Sequence, residues 1–398
     1  MKTIPLFKVF MSPNTGDRVK EVLHSGFIGQ GEKVEELERD LSRFFRIDKS
    51  RILTFNSATS AEHLVYHLLK SPATLTIDHV FGQDTAQEIF NWPGIQEGDE
   101  VLTTPLTCTA TNWPILANGI KLRWVDVDPT TMNISLEDLK TKLSEKTKIV
   151  TVVHWGGYPV DLVQLKEIQN EFYRQYGFKF MIVDDSAHAF GSELDGEKIG
   201  NFDTISTFSL QAIKHITSVD GGFWVNPYRE LNSRGKLQRW YGIDREGPRT
   251  DFRCENDIAE WGFKFHMNDV CATVGIENLK HIDSIVGKHN SNGQYYNNTL
   301  TNVPGVTLLE NSPRKKSAYW LYTMRVENRD QFMRYMSECG IVTSRTHERN
   351  DKHTCVREFI EPLPNVDIVT KDMICIPVGW WVTDEDREYI VDCIKRGW

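Results

Sequence analysis

An aspartate and a lysine follow two apolar segments in the middle of this 398-residue chain. Asp185 comes just after the apolar run 180–183, and ligands of α/β sheets bind beyond the carboxyl ends of such strands. Lys214 stands among apolar neighbours such as Ile213 and Ile216, which lower the pKa of a lysine and free its amine for Schiff-base chemistry. A carboxylate and such a lysine at successive strand ends suit one cofactor, pyridoxal 5'-phosphate.

Each of the two residues also has an interpretation that involves no chemistry. Asp185 could cap the N-terminus of a helix, where aspartate is favoured. Lys214 could be a surface lysine whose alkyl stem lies on apolar neighbours. Their pairing favours the cofactor, with Asp185 keeping the ring nitrogen protonated and Lys214 forming the Schiff base.

Residues 56–61, Asn-Ser-Ala-Thr-Ser-Ala, could bind the phosphate of such a cofactor. A phosphate requires a group of backbone N–H donors, which the start of a helix provides. Small hydroxyl residues open a predicted helix here. Alone this is a weak signal, because any capped helix starts in a similar way.

The elements that must position these residues alternate between strands and helices. Short, wholly apolar runs indicate strands with both faces covered, and residues with helical spacing separate them. The predicted strands are 101–103, 122–125, 149–153, 180–183 and 205–208, and the predicted helices are 33–45, 58–69, 135–143 and 162–176. In the third helix Ser135 and Asp138 could form a capping box. The pattern predicts an α/β domain with a largely parallel sheet.

The chain is predicted to divide into a large domain, residues 1–270, and a linking helix with a small domain, residues 271–398. Residues 71–93 break the alternation and are predicted to be an inserted loop. A long helix over 270–296 is predicted to link the two domains. The predicted small domain is α+β, with strands at 305–309, 320–326 and 373–378 and a helix at 329–339.

Composition and charge argue against several classes of protein. The chain carries 46 Lys+Arg against 55 Asp+Glu, a net charge of −9, which disfavours nucleic-acid binding. No apolar run reaches the roughly 18 residues of a membrane span, and the N-terminal segment lacks the pattern of a secretory signal. The seven cysteines form no CxxC pair, so neither a disulfide framework nor a zinc ribbon is supported. We therefore expect a reduced, soluble, cytoplasmic protein.

Several segments occur in the order typical of the DegT/DnrJ/StrS sugar aminotransferases, and the chain resembles that family from about residue 25 to residue 383. The segments are SGFIGQG at 25–31, PLTCTAT at 105–111, VDVD at 125–128, VHWGG at 153–157, DDSAHAFG at 184–191, FSLQAIKHITSVDGG at 208–222 and GFKFHMND at 262–269. The resemblance implies the aspartate aminotransferase fold, fold type I among pyridoxal-phosphate enzymes.

The resemblance assigns roles around the cofactor ring. It implies that Lys214 forms the Schiff base and, once released, moves the proton between cofactor and substrate. It implies that Asp185 pairs with the ring nitrogen and that His188 lies near the phenolic oxygen. Cys108 stands where the family usually has an aromatic residue that stacks on the ring, so this sequence leaves the stacking partner open.

The resemblance also assigns residues to the phosphate. Ser209 is expected to bind it together with Thr59 and Ser60 at the helix start. Ala58 replaces a family glycine there, so the phosphate turn must accommodate a Cβ. Lys264 stands where the family often has an asparagine that reaches the phosphate from the other subunit, which implies a homodimer with shared active sites.

The predicted substrate-binding residues are Phe27, Arg345 and His347. His347 belongs to the segment 346–353, whose histidines and carboxylates could suggest a metal site. Because Arg349 and a lysine stand among them, we predict no metal there.

The resemblance is greatest to perosamine and viosamine synthases. It implies transfer of the amino group of L-glutamate, through pyridoxamine 5'-phosphate, to a nucleotide-diphosphate-linked 4-keto-6-deoxyhexose. The product would be a 4-amino-4,6-dideoxy sugar. Amination at the 3-position and a sugar 3-dehydratase that uses pyridoxamine phosphate are alternatives, although the dehydratases replace the lysine with histidine and this chain keeps Lys214. A regulator that binds the cofactor without catalysis would be expected to lose Lys214 or Asp185. The nucleotide and the stereochemistry of the sugar stay open.

Overall fold

The computed structural model describes residues 3–78, 87–248 and 257–398, in which helices alternate with strands. The helices are α1 (Thr15–Ser25), α2 (Glu32–Phe45), α3 (Ala58–Leu69), α4 (Thr109–Ala117), α5 (Leu136–Lys142), α6 (Leu162–Tyr176), α7 (Arg229–Gln238), α8 (Asp269–Leu279), α9 (Ile282–Thr299), α10 (Arg329–Glu338), α11 (Pro364–Asp372) and α12 (Asp384–Arg396). The strands are β1 (Ile52–Phe55), β2 (Ala73–Asp78), β3 (Gln87–Trp92), β4 (Glu100–Thr103), β5 (Lys121–Trp124), β6 (Thr147–Val153), β7 (Met181–Asp185), β8 (Glu193–Leu194), β9 (Glu197–Lys198), β10 (Ile205–Ser209), β11 (Gly222–Val225), β12 (Val306–Leu308), β13 (Lys315–Lys316), β14 (Tyr322–Val326) and β15 (Met373–Ile376). The predicted strands are confirmed to within two residues at either end.

Seven strands form one sheet in the order β1-β11-β10-β7-β6-β4-β5. Strand β11 is antiparallel to both of its neighbours, and the other four pairings are parallel. Successive residues Phe223 and Trp224 of β11 belong to different hydrophobic clusters, one on each face of the sheet. The predicted α/β fold with a mostly parallel sheet is confirmed, and burial of both faces explains why its strands are apolar throughout.

One edge of this sheet collects the residues of interest. Thr207 of β10 lies opposite Asp185 in the parallel register, and β10 ends two residues later at Ser209. Gly222 pairs with Ser209 on one side and with Phe55 on the other. Helix α3 therefore starts at the same edge at which β7 and β10 end.

The cap of α5 differs in part from the prediction. The Ser135 hydroxyl accepts a hydrogen bond from the backbone N–H of Asp138 at 3.2 Å, as expected of a cap. The Asp138 carboxylate instead accepts from the N–H of Asp126 at 2.7 Å and lies 3.0 Å from the Lys142 ammonium. The predicted capping box is therefore wrong, because a neighbouring segment takes the carboxylate.

The predicted single helix over 270–296 is also wrong, since it is divided into α8 and α9. His281 has φ −109° and ψ 4°, which interrupts the helical ladder. Its Nε2 lies 3.3 Å from the Ser12 hydroxyl, and Asn278 accepts a hydrogen bond from the Ser12 N–H at 2.8 Å. The N-terminal segment thus packs against the break, and local helix propensity does not reveal that contact.

Residues 71–93 were predicted as a loop, but much of the segment forms an antiparallel hairpin of β2 and β3. Thr76 attaches the hairpin to α7 by donating its N–H and its hydroxyl to the Glu230 carboxylate at 2.8 and 2.7 Å. Leu75 and Ile77 are buried, whereas Thr74 is exposed and Thr76 is half-buried, which is the alternation of a half-buried strand. Part of the predicted insertion, residues 79–86, lies outside the described residues.

Strands β12, β14 and β15 form one three-stranded antiparallel sheet, and β13, β8 and β9 form another. Two histidines bond to the segment that leads into β14, His215 from the segment of Lys214 and His289 from α9. His215 Nε2 lies 2.9 Å from the carbonyl oxygen of Ala318, and His289 Nδ1 lies 2.8 Å from that of Tyr319. Burial lowers the pKa of both imidazoles, that of His289 to about 4, so both are neutral and donate to these carbonyls.

None of the described helices is long and apolar enough to cross a membrane. The predicted cytoplasmic location stays a prediction.

Candidate active site

Asp185, at the end of β7, accepts hydrogen bonds on both carboxylate oxygens. The Thr111 hydroxyl donates to Oδ2, and the backbone N–H of Ala187 donates to Oδ1 at 3.0 Å. The hydroxyl of Thr111 also lies 2.8 Å from that of Thr107. Burial raises the pKa of Asp185, whereas the two donors and Lys214 lower it. A turn and no helix follows Asp185, so the interpretation as a helix cap is wrong.

Lys214 lies on the face of an indole ring. Its Nζ is 3.8 Å from the centroid of Trp320, and the indole N–H of Trp320 donates to the carbonyl of Ile213 at 2.8 Å. Burial lowers the pKa of Lys214 to about 8, and Asp185 opposes that shift. A large fraction of the amine is therefore neutral near pH 8 and able to attack a carbonyl carbon.

Further rings line the site beside this lysine. The imidazole of His188 stacks on Trp320 with 3.9 Å between centroids, and His347 lies parallel to His188 at 5.7 Å. Trp155 meets both histidines edge to face. Burial and the Lys214 ammonium lower the pKa of both histidines, that of His347 to about 4, so both are neutral. The structure thus places both predicted histidines near Lys214.

The start of α3 forms the other end of the site. Ser57 caps the helix, because its hydroxyl accepts from the N–H of Ser60 at 3.1 Å. Thr59 is exposed and Ser60 is half-buried. Ser209 reaches the same edge through its pairing with Gly222. Hydroxyl groups around a helix N-terminus suit an anion such as phosphate.

Gly222 allows α3 to approach the sheet. A Cβ at this position would lie 2.3 Å from the backbone nitrogen of Ala58 and 2.6 Å from its Cα. The missing side chain of Gly222 therefore makes room for the backbone at Ala58, where α3 begins.

Lys264 lies beside this helix start in its own chain. Its carbonyl accepts from the Asn56 side chain at 3.2 Å, and its own side chain is exposed. Cys108 precedes α4 and is half-buried, close enough to Lys214 to raise the pKa of the lysine. The aromatic face next to the lysine comes from Trp320 instead of residue 108.

The predicted substrate residues lie in different environments. Arg345 has 47% of its side chain exposed and lies 3.4 Å from the Glu348 carboxylate, two residues from the half-buried His347. Phe27, in the turn between α1 and α2, has 82% of its surface exposed and is not packed against the site.

Sequence reasoning missed three residues of the site: Thr111, Trp320 and Glu62. Glu62 left a signal, because it stands on the apolar stripe of α3 with Ala58 and Val65, and a charge there needs an explanation. No sequence pattern indicated Trp320, since its contact with Lys214 depends on the tertiary fold.

The residues at this edge fit pyridoxal 5'-phosphate. A hydrogen-bonded carboxylate is available for a ring nitrogen, a lysine with a lowered pKa for a carbonyl carbon, and a capped helix start with Ser209 for a phosphate. The Nδ1 of His188 is buried and without a hydrogen-bond partner among the described residues, as expected of an atom that forms its hydrogen bond with a bound ligand. Within residues 3–78, 87–248 and 257–398, no three His, Cys, Asp or Glu side chains gather to hold a metal ion.

Comparison with known proteins agrees with this geometry. The sequence model of the DegT/DnrJ/EryC1/StrS aminotransferase family matches residues 11–77 and 85–395. The solved sugar aminotransferase CalS13 of Micromonospora echinospora is 38% identical, with a TM-score of 0.89 over 99% of this chain and 100% of its own. AtS13 of Actinomadura melliaura is 41% identical, with a TM-score of 0.91 over 100% of both chains. The UDP-4-amino-4-deoxy-L-arabinose–oxoglutarate aminotransferase of Shewanella sediminis is 29% identical over 99% of this chain and 97% of its own.

Proposed function

The chain belongs to the DegT/DnrJ/EryC1/StrS aminotransferase family, as its motifs predicted, and we propose that it transfers an amino group from L-glutamate to C4 of a nucleotide-diphosphate-linked 4-keto-6-deoxyhexose. The fold type I architecture is confirmed by the similarity to solved sugar aminotransferases. The observation that carries the proposal is the pair formed by Asp185, at the end of β7, and Lys214, in the turn that follows the adjacent strand β10.

Pyridoxal 5'-phosphate, when bound, supplies a protonated ring that withdraws electrons from the substrate carbon. Asp185 is suited to hold the proton on the ring nitrogen, because Thr111 and Ala187 fix its carboxylate. Lys214 is suited to bind the carbonyl carbon of the cofactor. Once released, its amine removes a proton from the donor amino acid and later delivers one to the sugar. A pKa of about 8 lets it act in both directions near neutral pH.

The choice of substrate rests on relatives and on the mouth of the site. The Shewanella relative is named for a UDP-linked 4-amino sugar and for oxoglutarate, the keto acid that glutamate leaves behind. The exposed guanidinium of Arg345 suits a diphosphate. Amination at C3 is the alternative that the position of the amino group in the product would reveal.

We further propose a homodimer in which Lys264 reaches the cofactor phosphate of the other subunit. Its side chain is exposed, and the neighbouring Trp261 has 65% of its surface exposed. Exposed aromatic surface beside a cation is typical of an interface.

Mixing two inactive variants tests the shared site. In mixed dimers of Lys214→Ala and Lys264→Ala chains, one of the two sites has both native lysines if Lys264 acts across the interface. Activity should then return to about a quarter of the wild-type value in a random equal mixture. If Lys264 serves its own chain, no mixed site is intact and activity does not return.

The activity itself is tested by a visible absorption spectrum of the purified protein. We expect a visible band from the cofactor bonded to Lys214, which L-glutamate converts to a near-ultraviolet band. Nucleotide-linked keto sugars are then screened for the one that restores the visible band. Lys214→Ala is the control without a covalent bond. A protein with no visible band, even after incubation with pyridoxal 5'-phosphate, would refute the proposal.

The product identifies the reaction. Nuclear magnetic resonance of the purified product should show nitrogen on C4 of the hexose. Nitrogen on C3 would show that the enzyme is a 3-aminotransferase, and a dehydrated sugar would show that it is a dehydratase. Either result would contradict the proposed specificity but not the use of pyridoxal 5'-phosphate.

A further inference from the structure

Glu62 is a buried carboxyl group that the proposed reaction does not use. It lies on α3 with 2% of its surface exposed. The Thr207 hydroxyl donates to Oε1 at 3.0 Å. Oε2 is buried and has no hydrogen-bond partner among the described residues. An ionised carboxylate left in this state would be costly, because burial removes its hydration.

Glu62 is electrostatically linked to Asp185. Thr207, its hydrogen-bond donor, lies opposite Asp185 in the register of β7 and β10. Burial raises the pKa of both carboxyl groups, and Asp185 raises that of Glu62 further. Two carboxyl groups that share a buried site do not both ionise readily. The pair is therefore expected to carry one negative charge.

The surroundings of the two groups decide where that charge lies. Asp185 accepts from Thr111 and from the N–H of Ala187, and it is attracted to Lys214. Glu62 accepts one bond, from Thr207. The other titratable groups that act on Glu62 do not favour its charge. The Cys108 thiol raises its pKa, and the Tyr66 hydroxyl on the same helix bonds to Thr151.

We propose that Glu62 is a positioning residue that keeps its proton, so that the single negative charge of the Glu62–Asp185 pair lies on Asp185 and faces the cofactor ring nitrogen. The proposal rests on the proposed function for the role of Asp185. Thr111 has a specific part in it, because its hydroxyl is the donor that selects Asp185 as the ionised member. Without that donor, part of the charge is expected to move to Glu62.

Infrared spectroscopy detects the proton on Glu62 directly. A neutral carboxylic acid absorbs at a higher carbonyl frequency than a carboxylate, and at neutral pH exposed acids are ionised. The spectrum of wild-type protein minus that of Glu62→Gln should show a neutral-acid band, both with the cofactor bound and after its removal. Glutamine keeps the acceptor for Thr207 and cannot ionise. A difference spectrum with a carboxylate band instead would overturn the proposal.

A double-mutant cycle tests the placement of the charge. Thr111→Val should weaken pyridoxal 5'-phosphate binding by about tenfold or more, since a bond to a charged group is lost and the charge moves away from the ring. In the Glu62→Gln background, Thr111→Val should reduce cofactor affinity by a clearly smaller factor. A glutamine at position 62 cannot ionise, so the negative charge stays on Asp185. Tyr66→Phe, which breaks a neutral hydrogen bond nearby, is the matched control and should not alter the effect of Thr111→Val.

Two results would contradict the proposal: additive effects of Thr111→Val and Glu62→Gln, or a loss of cofactor affinity in Glu62→Gln alone as large as that in Thr111→Val. Failure of the proposed function is distinguishable, because the visible band and the amino transfer are measured separately from the neutral-acid band. If the enzyme transfers amino groups but its spectrum lacks the neutral-acid band, the proposed function stands and only the proposal for Glu62 fails.

Discussion

The inner end of the site and its mouth are organised in opposite ways. At the inner end, Asp185 is 5% exposed and accepts hydrogen bonds from Thr111 and Ala187. At the proposed mouth, Arg345 is half-exposed and lies against Glu348 on the surface, whereas Phe27, also predicted to bind substrate, is 82% exposed and does not pack against the site. Contacts within this chain thus order the proposed chemical end, whereas the proposed mouth is left exposed, as we expect of a surface that awaits the substrate or a second chain. Changes at the inner end should therefore affect the chemical step, and changes at the mouth should affect substrate binding.

The largest effect is expected from Lys214→Ala. The variant loses both the bond to the cofactor and the base that moves the proton, so kcat should fall by at least about 10⁴-fold. Steady-state amino transfer measures it. The exposed Lys352→Ala serves as control and should behave like the wild type. Substantial turnover by Lys214→Ala would show that the inner end does not do the chemistry.

Asp185→Asn should lower kcat by about 10²- to 10³-fold, because an amide cannot stabilise a proton on the ring nitrogen. The cofactor should still bind through Lys214. A wild-type rate would reduce Asp185 to a structural residue.

The same variant has a predicted pH signature. The pKa of Lys214 is about 8, so the rate at which cofactor-free protein captures pyridoxal 5'-phosphate should rise with pH through that value. Asp185 favours the ammonium form, so its removal should move the midpoint of this rise to lower pH. Stopped-flow absorbance between pH 6 and 10 measures the midpoint, and a shift to higher pH would contradict the assignment.

Gly222→Ala should have the next largest effect. The added Cβ would meet the Ala58 backbone at 2.3 Å, so α3 must move away from the sheet. We expect a loss of about 1–3 kcal/mol in the free energy of unfolding and weaker cofactor binding. Thermal unfolding and cofactor titration measure both. Gly287→Ala is the matched control, because a Cβ there meets nothing within 4 Å.

Arg345→Ala should have the smallest effect of these changes. Loss of a half-exposed guanidinium should raise KM for the nucleotide sugar by about three- to tenfold and leave kcat close to the wild-type value. A fall in kcat at unchanged KM would show that Arg345 takes part in the chemical step. The proposed division between a chemical inner end and a substrate-binding mouth would then be wrong.

The sequence predicts well those features that depend on short segments. Apolar strands followed by polar residues place Asp185 and Lys214 at one edge of the sheet, and the register of β7 and β10 agrees. Contacts between distant segments were not predictable in the same way. Trp320 reaches Lys214 from far along the chain, and the break between α8 and α9 depends on the packing of Ser12.

The motif order carried information that local patterns did not. It suggested His188 and His347 before any contact was known, and both lie near Lys214. It did not suggest Glu62. Residues that differ from a familiar pattern have to be found from burial and hydrogen bonding.

The hydrogen bonds of His215 and His289 to the carbonyls of Ala318 and Tyr319 have a consequence for how ligands enter. A movement of the Trp320 segment away from both the lysine segment and α9 would break both bonds and leave buried carbonyls unpaired, at about 1–3 kcal/mol for each. Separating the wall of the site from its lysine therefore costs free energy, and we expect the two to move together. We therefore expect the rate at which ligands are captured to depend on the charge around the rim of the site more than on closure of one lobe over the other.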